Sequence, residues 1–160
     1  MATVILTQGL PAAGKSTVIE REFSGSLVVS PDAIKETHPD YDRNHPEPLH
    51  LWSKEVAEVQ WTQALEAGPE THPVIVYDGT SSHIPGTAAR IRSAKAAGYR
   101  VVLVRVEVSL ETSIERNRIR GIEGRSLSEK VIREIAADLA KATEVLSALV
   151  DEVRVIDNEN

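Results

Sequence analysis

The sequence reads as an α/β protein, a parallel sheet with helices covering both faces. Three features carry that reading. Short β-branched runs alternate with longer helical stretches along the 160 residues. A glycine-rich turn separates the first such run from the first helix. The chain is 41% apolar and 26% charged, which is enough for a real core at the size of one domain. It shows no internal repeat and no low-complexity tract, so residues 1–160 are expected to form one domain.

Thr3 to Thr7 is β-branched and reads as a buried strand, followed by a loop from Gly9 to Gly14 and a helix from Ser16 to Phe23. Leu27 to Val29 is a short second strand. Ser30 then reads as an N-cap and Pro31 as the first helical position. Proline and histidine crowd His38 to Pro48, an irregular loop. Leu49 to Ala67 is helical and is stopped by Gly68-Pro69. Within it Trp52, Val56 and Val59 form the expected core stripe, and Trp61 lies off it, packing on a neighbouring helix or lining a site. Pro73 to Tyr77 is a third strand closing on Asp78, and Ile84 to Ala97 is a helix stopped by Gly98. Arg100 to Val106 is the fourth strand, and Ser109 caps a helix from Leu110 to about Arg120. Ser126-Leu127-Ser128-Glu129 has capping-box spacing and opens a helix to Val150, before a last strand from Val153 to Ile156. The result is a five-stranded sheet, whose ligands bind at the carboxyl ends of the strands.

Composition excludes several classes. There is no cysteine, hence no disulfide, thiolate zinc site or cysteine nucleophile. The five histidines show no i, i+4 metal spacing. Met1 to Leu10 lacks the basic leader of a signal peptide, and no apolar run approaches the ~18 residues of a membrane span. A cytoplasmic protein with no membrane partner is expected. The net charge of −6 weighs against a broad nucleic-acid-binding surface. The average hides a basic belt, because Arg90 to Arg133 holds eleven Lys/Arg against five Asp/Glu.

Gly9-Leu10-Pro11-Ala12-Ala13-Gly14-Lys15-Ser16 fits G-x-x-x-x-G-K-[ST], with the required strand before and helix after. Its glycines let backbone N–H groups wrap a phosphate, and the helix N-terminus adds a positive dipole. Gly9, Ala12, Ala13, Gly14, Lys15, Ser16 and Thr17 are therefore the nucleotide-binding candidates. Lys15 reaches the β- and γ-phosphates, and Ser16 offers its hydroxyl to magnesium. Asp78, at the end of a strand, is either a second magnesium ligand or a plain turn aspartate before Gly79. No guanine-reading N-K-x-D segment exists, which excludes a signalling GTPase, and ring or transport ATPases need a longer chain.

A small phosphotransferase further needs a base, an acceptor pocket and an arginine-rich lid. Arg116, Arg118, Arg120 and Arg125 lie within ten residues broken by Gly121 and Gly124, a lid over about 116–127. The bland reading is a solvated helix face with Glu111 and Glu115 pairing the arginines. Asp32, just past the second strand, is either the base or a residue favouring the helix dipole.

These residues resemble the P-loop kinases that include zeta toxins and phage-type polynucleotide 5′-kinases. Asp32 to Asp42, with Lys35 and His38-Pro39 inside it, is similar to the zeta-toxin segment that opens with an aspartate base. Asp78-Gly79-Thr80 stands where zeta toxins carry Glu-Gly-Thr. Arg116-Asn117-Arg118-Ile119-Arg120-Gly121 resembles the polynucleotide-kinase lid pattern R-N-x-x-R-G. The resemblance implies a three-layer P-loop kinase fold with strand order 2-3-1-4-5. It also implies Asp32 as general base, with Lys35, Asp78, Thr80 and Arg125 toward the acceptor. Lys15, Arg116 and Arg120 would then act on the transferring phosphate, with ATP and Mg2+ as cofactors. Lys35 stands where polynucleotide kinases use an arginine, and it cannot make the bidentate fork.

The expectation is an ATP-dependent kinase acting on an alcohol group. A zeta-like nucleotide-sugar or similar small acceptor ranks first. A 5′-hydroxyl end or a hydroxymethylated base in DNA follows, and a small alcohol such as an antibiotic is third. The resemblance leaves room for an antitoxin partner. The alternative from another class is a nucleotide-binding module without phosphotransfer.

Overall fold

The computed structural model describes residues 1–121 and 127–159, together with the backbone of Ile122. The elements in order are β1 (Thr3–Gln8), α1 (Lys15–Glu22), β2 (Leu27–Val29), α2 (Pro31–Glu36), α3 (His50–Ala67), β3 (Val74–Tyr77), α4 (Ile84–Ala96), β4 (Arg100–Glu107), α5 (Leu110–Ile122), α6 (Glu129–Ser147) and β5 (Glu152–Asp157). The strands form one parallel sheet in the order β2-β3-β1-β4-β5. β1 sits centrally with β3 on one side and β4 on the other, so the chain turns both ways from it. That switch point places the loop after β1 in the crevice at the sheet's carboxyl edge.

Strand alternation divides the core into two faces. Val4, Leu6, Ile75, Tyr77, Val101 and Leu103 point one way and are covered by Ala57, Trp61 and Ala64 of α3, Ile91 and Ala94 of α4, and Ala142 and Leu146 of α6. Ile5, Val76, Val102, Val104 and Val106 point the other way and pack on Ala13, Val18 and Ile19, which brings α1 against the sheet. The apolar runs in β1, β3 and β4 are continuous because both of their faces are buried.

The helix-start signals at Ser30 and Pro31 hold. Ser30 Oγ accepts from the Ala33 amide, and Pro31 opens α2. Gly98 ends α4 with φ 92°, the left-handed conformation glycine adopts without steric cost. Four expectations are corrected. The cap of α6 is Ser128, whose Oγ accepts from the Val131 amide. Glu129 is thus the first residue of the helix and ion-pairs with Arg133, instead of closing a capping box. α6 ends at Ser147, three residues before Val150. In α3 the buried residues are Ser53, Ala57, Trp61 and Ala64, while Val59 faces solvent and Trp52 is only partly buried. Small residues let that stripe approach the sheet, and Trp61 fills the space they leave, edge-on to Tyr77 at 5.8 Å. The 38–48 loop ends in one turn of 3-10 helix, Glu47–Leu49, so α3 starts at His50 and not at Leu49.

Candidate active site

The loop after β1 holds the conformation its motif requires. Gly9 (φ 157°) and Gly14 (φ 96°) adopt backbone angles that favour glycine, and Ala12 (φ 59°) is held in the left-handed region despite its Cβ. A Cβ on Gly9 would lie 2.5 Å from the Val106 carbonyl oxygen, and one on Gly14 would collide with the Asn158 side-chain amide. Ser16 and Thr17 are exposed at the first turn of α1, where free N–H groups and the helix dipole favour an anion.

Distant residues anchor two of the loop's carbonyls. The buried Ser113 hydroxyl on α5 donates to Pro11 O at 2.7 Å. Asn158 Nδ2, just past β5, donates to Ala13 O at 2.7 Å. With these two carbonyls engaged, the amides of the same peptides are left for a phosphate. On the other flank the buried Thr7 hydroxyl bonds both Gly79 N and Gly79 O at 3.0 Å, and Ser81 Oγ donates to Thr7 O at 2.6 Å. Gly9 N donates to Thr80 O, which joins the 78–82 turn to the phosphate loop. Thr80 Oγ1 lies 2.9 Å from Ser82 Oγ. Thr7, Ser81, Ser113 and Asn158 carry no motif, and no signal in the sequence marks them.

The charged groups converge on Lys15. Its Nζ donates to Gly9 O (3.0 Å) and Leu10 O (2.7 Å). Burial lowers its pKa to about 8, with Asp78 and then Asp32 pulling it back up and Arg120 adding to the depression. Burial also raises the Asp78 carboxyl, while Lys15 counteracts it, Asp32 adds to it, and the Ser30 and Thr7 hydroxyls favour the carboxylate. Ser30 Oγ donates to Asp78 Oδ2 at 3.3 Å, and the Asp78 amide donates to Val29 O at 2.9 Å. The aspartate therefore sits at the junction of β2 and β3. Asp32, on the first turn of α2, has an exposed side chain 3.7 Å from the Lys35 ammonium. Lys35 is 5% exposed and meets Nδ1 of His50 on the facing helix α3.

The α5 arginines separate by face. Arg116 and Arg120 are half-buried, four residues apart. Arg116 donates to Asn158 O (2.7 Å) and Glu159 O (3.3 Å), and Arg120 lies close enough to affect Lys15. Arg118 points to solvent and pairs with Glu115 at 2.7 Å, the solvated-face arrangement. α5 continues through Gly121 to Ile122. Asn117 is buried, and its amide bonds both Leu127 O (2.7 Å) and Leu127 N (2.9 Å), clasping the base of the α5–α6 connection. Gly124, Arg125 and Ser126 lie outside the described residues. Among the described residues no three His, Cys, Asp or Glu side chains gather as a metal site. A hydroxyl at Ser16 and a carboxylate at Asp78 are nonetheless the hard oxygen donors that fit magnesium, which keeps several waters and takes phosphate oxygens as its other ligands. None of the described helices is long and apolar enough to cross a membrane.

Known proteins share this fold. A chain of the PezAT chromosomal toxin–antitoxin system of Streptococcus pneumoniae superposes with TM-score 0.76 at 20% identity, over 98% of this chain and 68% of that one. AvrRxo1-ORF1:-ORF2, solved with ATP, gives 0.74 at 18% over 98% of this chain and 55% of that one. The Pnkp1/Rnl/Hen1 RNA repair complex gives 0.69 at 14% over 90% and 46%. The chain thus spans about half the length of the latter two. No curated protein sequence matches it at significance. The fold is that of the zeta-toxin and polynucleotide-kinase-like P-loop kinases. The AAA domain family matches residues 4–145, and the chain belongs to that family.

Proposed function

We propose that this protein is an ATP- and magnesium-dependent phosphotransferase, passing the γ-phosphoryl group to the hydroxyl of a nucleotide-sugar or similar small acceptor. One observation carries the reading. The phosphate-loop Lys15 lies within electrostatic range of Asp78, of Asp32 and of the α5 arginine Arg120. A module that only bound nucleotide would need the lysine but not a second, exposed carboxylate facing it from α2.

Gly9, Ala12, Ala13, Gly14 and Thr17 present the amide cradle and first helical turn to the phosphates. Lys15 exchanges its carbonyl contacts for β- and γ-phosphate oxygens. Ser16 and Asp78 would hold magnesium, which would neutralise phosphate charge when bound. Asp32 accepts the proton of the acceptor hydroxyl. The acceptor oxygen bonds to the γ-phosphorus as the bond to the β,γ-bridging oxygen breaks, and ADP leaves with that electron pair. Arg116, Arg120 and Arg125 spread the charge of the moving phosphoryl group, and Lys35, Asp78 and Thr80 border the acceptor. The Asp32 to Asp42 segment is the longest stretch of zeta-toxin likeness and favours the small acceptor; the PezAT and AvrRxo1 relatives support an antitoxin-type partner.

The test is transfer of labelled γ-phosphate to UDP-sugars, 5′-hydroxyl oligonucleotides, hydroxymethylated DNA and nucleosides. Asp32→Ala should lose turnover by several orders of magnitude and keep its ATP affinity. Undiminished turnover in that variant would remove Asp32 as the base. Product on oligonucleotides alone would replace the acceptor with a polynucleotide end.

A further inference from the structure

Lysine is almost never buried without partners, because its ammonium only donates and desolvation is costly. Lys35 is 5% exposed, on the short helix that also carries Asp32. Its Nζ meets Nδ1 of His50, the first residue of α3, and lies 3.7 Å from Asp32 Oδ1 one turn back. The amine is thus held between an imidazole on one helix and the carboxylate of the assigned base on another.

We propose that His50 is a positioning residue for phosphoryl transfer. Its unprotonated Nδ1 fixes the Lys35 ammonium against Asp32, and protonation of the ring releases it. The inference rests on the assignment of Asp32 as the base. The contact dictates the imidazole's state. An ammonium cannot accept, so Nδ1 must carry the lone pair and the proton must sit on Nε2. The groups facing the ring are Lys35 and Asp32 from α2, Lys54 one turn along α3, and Glu47 from the preceding 3-10 turn. Burial and then Lys35 hold the ring below its usual pKa, Lys54 adds to the depression, and Asp32 and Glu47 offset part of it. His50 is therefore neutral at pH 7. As pH falls through its depressed value, Nδ1–H would face the ammonium, and the two would repel. Lys35, with four rotatable bonds, would leave, and Asp32 would lose the cation beside it. Turnover then falls on the acid side in step with His50, with little effect on the nucleotide held at Lys15 and the phosphate loop.

The imidazole itself can be read on the whole protein by 15N–1H spectroscopy of the ring, whether or not an acceptor is known. The expected result is the Nε2–H tautomer with a pKa below 6.5 that rises in Lys35→Met. An Nδ1–H tautomer, or a ring indifferent to Lys35→Met, would overturn the proposal. In turnover, His50→Ala should lose roughly 10- to 100-fold in kcat with the KM for ATP unchanged. His50→Asn, whose Oδ1 can stand in for Nδ1 but does not titrate, should keep most of the rate and lack the acid limb seen in the native protein. A His50→Ala variant with native kcat and a native pH profile would also overturn it. A His50→Asn variant as poor as His50→Ala would mean that the acceptor atom is not what matters. Failure of the base assignment is seen separately, as turnover surviving Asp32→Ala while the imidazole result stands.

Discussion

Lys15 shows how a functional charge weighs on the fold. Its folded pKa of about 8 lies below the unfolded value of 10.5, so the unfolded chain binds more protons between those values. Stability contributed by this group is present above pH 10.5 and is lost as pH falls through 8. At neutral pH the buried ammonium then costs on the order of 3 kcal/mol. Lys15→Met should therefore abolish ATP binding and yet raise the midpoint of urea unfolding at pH 7. Its advantage over the native protein should shrink toward pH 10.5. An unfolding midpoint at or below the native one at pH 7 would show that the lysine's carbonyl bonds to Gly9 and Leu10 outweigh its desolvation. At Gly9 a substitution has no such compensation. The Ala variant places Cβ against backbone at Val106, and its nucleotide affinity should fall by at least about tenfold in calorimetry.

At the level of elements, the phosphate loop is held by parts far away in sequence. Ser113 reaches Pro11 across 102 positions, and Asn158 reaches Ala13 across 145. Each of these hydrogen bonds is worth about 1 kcal/mol net. Ser113→Ala and Asn158→Ala should each weaken ATP binding by roughly 5- to 10-fold and leave the spectrum of secondary structure unchanged, with the double variant additive or worse. Unaltered ATP affinity in both would mean that the loop is self-supporting. At the other end of α5, the amide of Asn117 clasps Leu127, and Ser128 caps α6. Ser128→Ala should cost about 1 kcal/mol by denaturant titration. Local rules read the helix starts at Ser30 and the stop at Gly98 correctly because a cap is a contact within three or four residues. They read α3 only in part: Trp52 and Val56 pack on the core while half-buried, and Val59 faces solvent. The buried stripe is instead set by which face small residues allow closest to the sheet.

For the whole molecule, much of the described part of the basic belt is paired. Arg90 stacks over Tyr77 at 4.0 Å and pairs with Glu58, Arg100 pairs with Glu152, Arg105 with Glu107, Arg118 with Glu115 and Arg133 with Glu129. Glu58 and Glu152 lie outside the belt in sequence and come to it only through folding. The half-buried α5 face with Arg116 and Arg120 stays at the phosphate-loop end. A polynucleotide acceptor should therefore bind with a shallow salt dependence. For two or three phosphates contacted on a single strand, the log–log slope should be about −1.4 to −2.1. Duplex DNA should not be retained at physiological salt. A slope several times steeper, measured by titration at rising salt, would point to a broad basic surface that the pairing does not leave.

The motif from Gly9 to Ser16, the alternation of strands and helices, and the acidic strand end at Asp78 were all legible in the linear chain, because each is written in neighbouring residues. Resemblance supplied the strand order and the roles proposed for Asp32 and Thr80, which no spacing rule contains. Tertiary structure alone brought Asp78 and Asp32 within electrostatic range of Lys15. It alone buried Lys35 against His50, fifteen positions on, and brought Asn158 and Glu159 to Arg116. The physical reason is range. Backbone conformation and capping depend on contacts a few residues apart, whereas burial, pKa and the pairing of charges depend on which distant segments the sheet brings together.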